Sequence, residues 1–171
     1  MKEYFENIVK FTLNYEKYKS NDPHDPGGLT IWGFASKYHP IEVAAMENMS
    51  PEDAKKRAIE LYYNLYWFAG GCDKLLELSS QALFDICVNP GTGAAVRFLQ
   101  HIFGTKEDGV LGPNTKKLID DNISKHNDKE LATALITMRE DWYKAKHNDK
   151  FEHGWLNRCS DLRKFLNIST P

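Results

Sequence analysis

The sequence lacks a dominant charge of either sign and lacks any long apolar run. It carries 22 lysines and arginines against 24 aspartates and glutamates, for a formal net charge of −2 over 171 residues. Such a balance provides no uniform basic field for a polyanion, so a nucleic-acid partner is not expected. A membrane-spanning helix needs about 20 consecutive apolar residues, and no such run is present. We therefore expect no transmembrane segment.

Metal-binding and disulfide patterns are absent as well. The three cysteines are odd in number and far apart, and the six histidines show no His-x-x-x-His or His-Glu-x-x-His spacing. We interpret Cys72, Cys87 and Cys159 as free thiols that fill the core. A catalytic metal is not expected.

Strand-like alternation is scarce, whereas apolar residues recur at helical spacing along most of the chain. This periodicity, with turn and cap residues between the segments, predicts one all-α domain of about seven helices. Asp128 is predicted to cap the sixth helix, and Val110 and Leu111 are predicted to fill the core before the fifth. The predicted helices cover residues 4–16, 51–67, 79–89, 93–103, 113–119 or 113–123, 128–143 and 160–166.

The stretch from Lys19 to Gly33 interrupts the helical pattern. Its density of turn-forming residues stops any regular element. These residues are Ser20, Asn21, Asp22, Pro23, Asp25, Pro26, Gly27 and Gly28. We predict a long shaped loop after the first helix, with room for one small hairpin.

Glu16 lies at the end of the first predicted helix, directly before this loop. The unpaired carbonyls of a helix C-terminus and the loss of water in a cleft both oppose ionisation of a carboxyl group, which favours a proton donor near neutral pH. Protonation of a glycosidic oxygen needs such a carboxyl, with a second carboxylate for the other reactant, and Asp22 and Asp25 are the nearest candidates. The residues alone leave an alternative open, in which Glu16 is a solvated surface group and both aspartates cap turns.

Residues 16–33 read EKYKSNDPHDPGGLTIWG. This segment resembles the signature EGGYSNDPxDPGGxTxxGI of glycoside hydrolase family 108, which contains phage endolysins and secretion-activator muramidases. The similarity continues in Gln81–Asp85, Asn89, Gly91, Leu99–Gln100, Asp108–Thr115, Arg139, Tyr143 and Gly154–Arg158. It therefore extends over nearly the whole chain.

The resemblance implies a lysozyme-like helical fold and activity on peptidoglycan. It implies a muramidase-like catalytic region over residues 1–90 and a predicted peptidoglycan-binding region over residues 91–171, packed together as one compact unit. The expected reaction is hydrolysis of the β-1,4 bond between N-acetylmuramic acid and N-acetylglucosamine, without a cofactor. The expected partner is the glycan strand of peptidoglycan, and the sequence does not define an oligomeric state.

The same resemblance assigns the catalytic acid to Glu16. Asp25 and Thr30 follow at nine and then five positions, similar to the Glu, Asp, Thr order of phage-type lysozymes to within one residue. We predict that Asp25 orients or deprotonates the attacking water and that Thr30 holds this water or a sugar hydroxyl. The alternative is that Asp25 caps its own turn and that Thr30 makes a structural hydrogen bond.

The chain departs from the family signature immediately beside Glu16. Lys17, Tyr18 and Lys19 stand where Gly-Gly-Tyr is usual, so two residues that permit close backbone approach are lost and two cations that favour the ionised acid are gained. This departure keeps open a non-catalytic peptidoglycan-binding secretion helper. A lytic transglycosylase is also open, because a single acid/base glutamate suffices when the muramyl 6-hydroxyl replaces water and leaves a 1,6-anhydro product.

Aromatic and amide side chains are the candidates for sugar binding. Pyranose rings stack their C–H faces on aromatic rings, although core packing is the alternative for each aromatic residue. Gln100 is a further candidate for an N-acetyl group, with a buried structural amide as its alternative, and Trp142 and Trp155 are predicted to be core residues. The predicted substrate-binding residues are Tyr18, Asp22, Trp32, Trp67 and Asn89.

Residues 1–10 carry no basic region followed by an apolar run and a cleavage site. We therefore expect synthesis in the cytoplasm without a signal peptide. Given the expected substrate, the protein would act on the cell wall, in the periplasm, after release or export.

Overall fold

The computed structural model describes residues 3–16, 18–22 and 26–169, apart from the side chain of Asp149. In these residues it contains eight α-helices and one small antiparallel sheet, so the predicted all-α fold is confirmed with one helix more than the expected number. The helices are α1 (Glu3–Tyr15), α2 (Pro40–Glu47), α3 (Pro51–Tyr62), α4 (Glu77–Ile86), α5 (Thr92–Ile102), α6 (Pro113–Asn122), α7 (Asp128–Lys144) and α8 (Asp149–Phe165).

Several short segments complete the secondary structure. The strands are β1 (Lys19–Ser20), β2 (Thr30–Ile31) and β3 (Phe34–Ala35). The 3₁₀ turns are Cys72–Lys74 and Ile123–Lys125, and the π-helical turns are Tyr63–Phe68 and Cys87–Gly91. No helix in the described part of the chain combines the length and apolar character needed to cross a membrane.

The first compact unit ends at Asn64 and contains α1, α2, α3 and the sheet. Helix α3 begins as the sequence predicts, because the Ser50 hydroxyl accepts a hydrogen bond from the Asp53 amide at 3.1 Å and Pro51 occupies the first helical position. Helix α2 was not predicted, since it buries only Val43 and Met46, too few residues to form a recognisable apolar stripe. Helix α1 buries one continuous face, formed by Phe5, Ile8, Val9, Phe11, Thr12 and Leu13.

The loop after α1 contains the predicted hairpin and one further strand. β2 pairs antiparallel with β3, with Ile31 opposite Phe34, and β1 pairs antiparallel with β2, with Ser20 opposite Thr30. The order is β1-β2-β3. Two-residue strands bury too little surface to be stable alone, so the buried Ile31 and Phe34 side chains hold this sheet in the unit.

The second compact unit begins at Leu65 and contains α4 to α8. Helix α4 is its centre, because every residue from Ser79 to Ile86 is buried, and α7 packs against both α4 and α8. The three cysteines are buried free thiols, as predicted. The division between the compact units, after Asn64, differs from the division predicted after residue 90, and the predicted functional regions remain a prediction.

The capping of α7 differs from the prediction. Asn127 caps this helix, because its Oδ1 accepts from the amides of Lys129 and Glu130 at 3.0 and 3.2 Å. The Asp128 carboxylate instead accepts from the amides of Leu78 and Ser79 at 2.8 and 2.9 Å, which are donors at the start of α4. Asp128 therefore caps a helix about fifty positions away in sequence.

Two further local predictions are wrong. Helix α8 begins at Asp149 rather than near Ser160, because contacts made by Trp155 and Arg158 extend the packed part of the helix without forming an apolar stripe. Val110 is 61% exposed and does not fill the core. Its backbone amide instead stabilises the turn, since it donates to Asp108 Oδ1 at 2.9 Å.

Candidate functional site

Glu16 follows directly on the last residue of α1, as the sequence predicts. Its backbone amide donates to the Leu13 carbonyl at 3.3 Å, which continues the helical turn to this position. The residue is half-buried. The residue is therefore placed by the end of a packed helix and keeps partial access to solvent.

The hairpin turn between β2 and β3 consists of Trp32 and Gly33. Both have positive φ, 47° and 87°, as a two-residue type I′ turn requires. Gly33 suits this conformation, whereas a tryptophan there is strained by roughly 1–2 kcal/mol. Strained backbone of this kind occurs preferentially at functional sites.

Gly33 brings Glu16 and Tyr62 together. A β-carbon built on Gly33 would overlap the Tyr62 hydroxyl and lie 3.0 Å from Glu16 Oε2 and 3.1 Å from its Cδ. The oxygen atoms of an acid and a phenol thus converge on the open face of this glycine. Any side chain at position 33 would displace one of them.

Tyr62 fixes the turn from the α3 side. It is 2% exposed, and its hydroxyl donates to the Trp32 carbonyl at 3.0 Å. The sequence analysis did not identify this residue, because nothing in the apolar period of α3 distinguishes a tyrosine that reaches a loop from one that fills the core. The one sequence feature that points to such a residue is Gly33 of the loop signature, because a glycine there indicates that another group approaches the backbone closely.

Tyr18 and Trp32, both predicted to bind sugar, lie together. Their ring centroids are 5.6 Å apart at 53°, and the Trp32 amide donates to the Tyr18 carbonyl at 3.0 Å. Lys55 Nζ lies 5.3 Å from the centroid of the Trp32 ring. Among the described residues, the buried Nε1 of Trp32 has no hydrogen-bond partner. The pair forms a half-buried aromatic surface in the unit that carries Glu16.

The remaining predicted residues of the loop are less fully defined. Asp25 and Lys17 lie outside the described residues. Asp22 is exposed. The Thr30 hydroxyl donates to the Gly28 carbonyl at 3.4 Å, the structural hydrogen bond that the sequence left open. Lys19 forms an exposed ion pair with Glu47, Nζ to Oε1 at 3.1 Å, so its cation has an acidic partner on α2.

Two candidates in the second unit are structural. Trp67 is 0% exposed and packs against Phe84 with ring centroids 5.9 Å apart. Its ring is covered and cannot stack on a sugar, so we no longer count it among the substrate-binding candidates. Gln100 is buried, with Nε2 donating to Asp108 Oδ1 at 2.7 Å and Oε1 accepting from the Gly109 amide at 2.8 Å. Its amide holds the Asp108–Gly109 turn in place.

Asn89, in contrast, is exposed, and a buried network orients its side chain. The Tyr143 hydroxyl accepts from Arg139 Nε at 3.1 Å and donates to Asn89 Oδ1 at 2.5 Å. A hydroxyl has a single proton, so the arginine on one side directs that proton to Asn89. Burial raises the pKa of Tyr143 although Arg139 acts in the opposite direction, so the hydroxyl keeps its proton at neutral pH.

Asp85 anchors this network in the core. Its fully buried carboxylate contacts Arg139 Nη1 at 2.5 Å and Arg158 Nη2 at 2.7 Å. Burial alone would raise the pKa of Asp85, but the positive charges and hydrogen bonds of the two arginines outweigh burial and hold its pKa below the ordinary value of 3.8. The carboxylate is therefore ionised at neutral pH and fixes both arginines.

The described residues contain no group of three or more His, Cys, Asp or Glu side chains that could hold a metal ion. The candidate residues of the first unit supply a carboxyl group and a phenol that meet at Gly33, and also a threonine hydroxyl and two aromatic rings. These groups suit proton transfer and binding of a sugar.

Comparisons with known proteins relate the chain to enzymes and domains that act on glycans. Residues 9–91 match the family model described as Glycosyl hydrolase 108, and residues 94–160 match the one described as Predicted Peptidoglycan domain. The solved structure of Brucella abortus SagA is similar to this chain, with a TM-score of 0.72 and 25% sequence identity over 98% of this chain and 96% of that one. No curated protein sequence matches the chain. Residues 9–91 therefore carry the Glycosyl hydrolase 108 region of the chain, and residues 94–160 carry its predicted peptidoglycan domain.

Proposed function

We propose that the protein is an N-acetylmuramidase that cleaves the β-1,4 bond between N-acetylmuramic acid and N-acetylglucosamine in peptidoglycan, with Glu16 as the general acid. The matches of residues 9–91 to Glycosyl hydrolase 108 and of residues 94–160 to a predicted peptidoglycan domain support the broader class, a glycosidase directed at peptidoglycan. The observation that carries the finer proposal is the position of Glu16, a half-buried residue at the end of α1 whose carboxyl group lies against Gly33.

The proposed reaction has two proton transfers. Glu16 donates its proton to the glycosidic oxygen as the bond from that oxygen to the muramyl C1 breaks. Water attacks C1 from the opposite face, and Asp25 accepts the proton that this water releases, as in an inverting hydrolase. The role of Asp25 rests on the family signature, and Thr30 is proposed to hold the water or a sugar hydroxyl.

Tyr62 is proposed as a positioning residue for Glu16. Because its hydroxyl donates to the Trp32 carbonyl, it presents lone pairs rather than a proton to the face of Gly33 on which Glu16 also lies. Such an arrangement accommodates a protonated carboxyl group as its neighbour.

Trp32 and Tyr18 are proposed to contact a sugar ring, and the exposed Asp22 to bind a sugar hydroxyl.

The test compares Glu16→Gln with Glu6→Gln, which makes the same substitution at an exposed glutamate of α1. Clearing of purified peptidoglycan is followed by turbidity. We expect Glu16→Gln to be slower by about 10²- to 10⁴-fold, the usual effect of a positioned acid, and Glu6→Gln to match the parent. Equal clearing by Glu16→Gln and the parent would refute the assignment of the acid.

The second carboxylate is tested by Asp25→Asn beside Asp22→Asn, which makes the same change three positions earlier. We expect the larger loss of clearing for Asp25→Asn. The reverse order would transfer the role to Asp22.

Mass spectrometry of the products separates the alternative functions. Reducing muropeptide ends support the hydrolase, whereas exclusively 1,6-anhydro ends would identify a lytic transglycosylase. Retention of the parent protein on peptidoglycan without any clearing would identify the non-catalytic binding module that the Lys17 and Lys19 departure suggested.

A further inference from the structure

A pocket of about 400 Å³ lies in the second unit, and the proposed reaction does not use it. Its volume is within the range of small-molecule sites. Tyr143, 1% exposed, forms its floor, and the other lining residues are at least partly exposed. The pocket, called the Asn89 pocket below, is lined by Asn89, Trp142, Tyr143, Lys146, Asn148 and Trp155.

The amide of Asn89 presents an oriented donor to this pocket. Oδ1 accepts the proton of Tyr143, so Nδ2 is turned away from the buried network. Among the described residues Nδ2 makes no hydrogen bond. The network that reaches back to Asp85 thus holds an exposed N–H donor whose orientation is set before any ligand arrives.

The walls of the pocket are rigid aromatic rings. Trp155 stacks on Tyr143 at 4.9 Å between centroids and 20° between planes, and Trp142 meets Tyr143 at 5.4 Å and 62°. Both indoles were predicted to be core residues, yet both are half-exposed. The buried tyrosine therefore fixes two large apolar edges beside the Asn89 donor.

A cation completes the rim. Lys146 is exposed and its Nζ lies 3.8 Å from the centroid of the Trp142 ring, a cation–π contact. The ligand that fits this combination has a small apolar group, an adjacent carbonyl acceptor and a nearby negative charge. An acetamido group supplies the first two, and the carboxylates of peptidoglycan peptides supply the third.

We propose that the Asn89 pocket binds an N-acetylated sugar of the peptidoglycan strand, separately from the carboxyl chemistry of Glu16. The acetamido methyl group contacts Trp142 and Trp155, the acetamido carbonyl accepts from Asn89 Nδ2, and Lys146 attracts a carboxylate of the attached peptide. The match of residues 94–160 to a peptidoglycan domain favours this occupant. The inference rests on peptidoglycan as the substrate and not on catalysis by Glu16.

Binding is measured by calorimetry with a single N-acetylglucosaminyl-N-acetylmuramyl peptide. This ligand contains no bond of the type proposed to be cleaved, so the parent protein can be used. Asn89→Asp keeps an acceptor for Tyr143 and removes the donor, and we expect an affinity loss of about two- to tenfold, as for one hydrogen bond. We expect Trp142→Ala to lose at least as much, while Phe68→Ala, which removes a 60% exposed ring elsewhere in the unit, binds like the parent.

Lys146→Gln is compared with Lys144→Gln, which removes an equal charge from a lysine that pairs with Asp141 on α7. We expect only Lys146→Gln to weaken binding of the muramyl peptide. Neither variant should change binding of neutral N,N′-diacetylchitobiose, which carries the acetamido groups without a carboxylate. Equal effects of the two lysines on the muramyl peptide would overturn the role of Lys146.

Parent-like affinity of both Asn89→Asp and Trp142→Ala would overturn the proposal, as would absence of binding by the parent protein. If circular dichroism shows that Trp142→Ala is unfolded, Asn89→Asp and Trp142→Phe decide the outcome. The muramidase proposal fails in a different experiment, namely if Glu16→Gln clears peptidoglycan as fast as the parent. That result would leave the affinities measured for the Asn89 pocket unchanged.

Discussion

The two compact units build their candidate sites by different physical means. Near Glu16 the structure depends on backbone shape, with a strained Trp32, a Gly33 of positive φ and two oxygen atoms where a β-carbon would otherwise lie. Near Asn89 it depends on charge, because the buried Asp85 pairs with Arg139 and Arg158, and Arg139 orients Tyr143, whose hydroxyl donates to the exposed Asn89 amide.

This difference determines how each site fails. A site that depends on close approach is sensitive to added volume, whereas a site that depends on desolvated charges is sensitive to the loss of one charge. Substitutions of both kinds should therefore differ in their cost, and loss of the buried charge should cost most.

Asp85→Asn should be the most destabilising change. It leaves Arg139 and Arg158 buried without their anion, and breaking a buried ion pair in this way costs about 3–5 kcal/mol. Asp120→Asn is the control, because Asp120 pairs with Lys74 at 2.8 Å but is exposed, and such pairs contribute about 0–1 kcal/mol. Denaturant unfolding measures both. If the two variants lower the free energy of unfolding equally, the second unit does not depend on its buried ion pairs.

Gly33→Ala should destabilise the first unit and stop catalysis. The added carbon overlaps the Tyr62 hydroxyl and lies 3.0 Å from Glu16 Oε2 at φ +87°, and we expect a loss on the order of 1–3 kcal/mol. Gly104→Ala is matched for its φ of +68° but has no atom within 4 Å of the new carbon. If the two alanines cost the same in unfolding and clearing assays, close approach at Gly33 is not required.

Asp128→Ala and Asn127→Ala compare two neighbouring caps. Each removes a helix cap, with a typical cost of about 0.5–2 kcal/mol. Asp128 should be the more costly, because it accepts from two amides and the Ser79 hydroxyl at the start of the central helix α4. Thermal unfolding followed by far-ultraviolet circular dichroism gives the order. A larger effect at Asn127 would show that α7 needs its cap more than α4.

The stability of the protein should fall in strong acid through Asp85. Its pKa is lower in the folded protein than its ordinary value of 3.8, so its contribution is fully present above that value and is lost as the pH falls towards the folded pKa. Denaturant midpoints between pH 5 and pH 2 should decrease less steeply for Asp85→Asn than for the parent. Identical slopes would exclude Asp85 as a source of acid sensitivity.

Much of the fold was predictable, because amphipathic periodicity and turn chemistry are local. The starts of α3 and α6, the end of α1 and the loop with its hairpin follow from such signals. Helix α2 and the first half of α8 did not follow, since few of their residues form an apolar stripe. Helix α8 is instead held by a stacked Trp155 and by the ion pair of Arg158.

The candidate site was predictable in part for the same reason. The signature segment identified Glu16, Tyr18 and Trp32 as neighbours along the chain, but not Tyr62, whose hydroxyl reaches Trp32 from thirty positions away. A tryptophan at position 67 could not be told from a sugar platform by sequence, because only packing against Phe84 shows that its ring is covered.

Consecutive residues are enough to specify the helical class, the acidic loop after α1 and the similarity to a glycosidase family, because each of these is a local pattern. The tertiary structure alone decided that Gly33 receives Glu16 and Tyr62, that Asp128 caps α4 and that Asp85 orients Asn89. These contacts join residues far apart in the chain, and a hydrogen bond or ion pair of that kind is selected by the geometry of packed helices rather than by local periodicity.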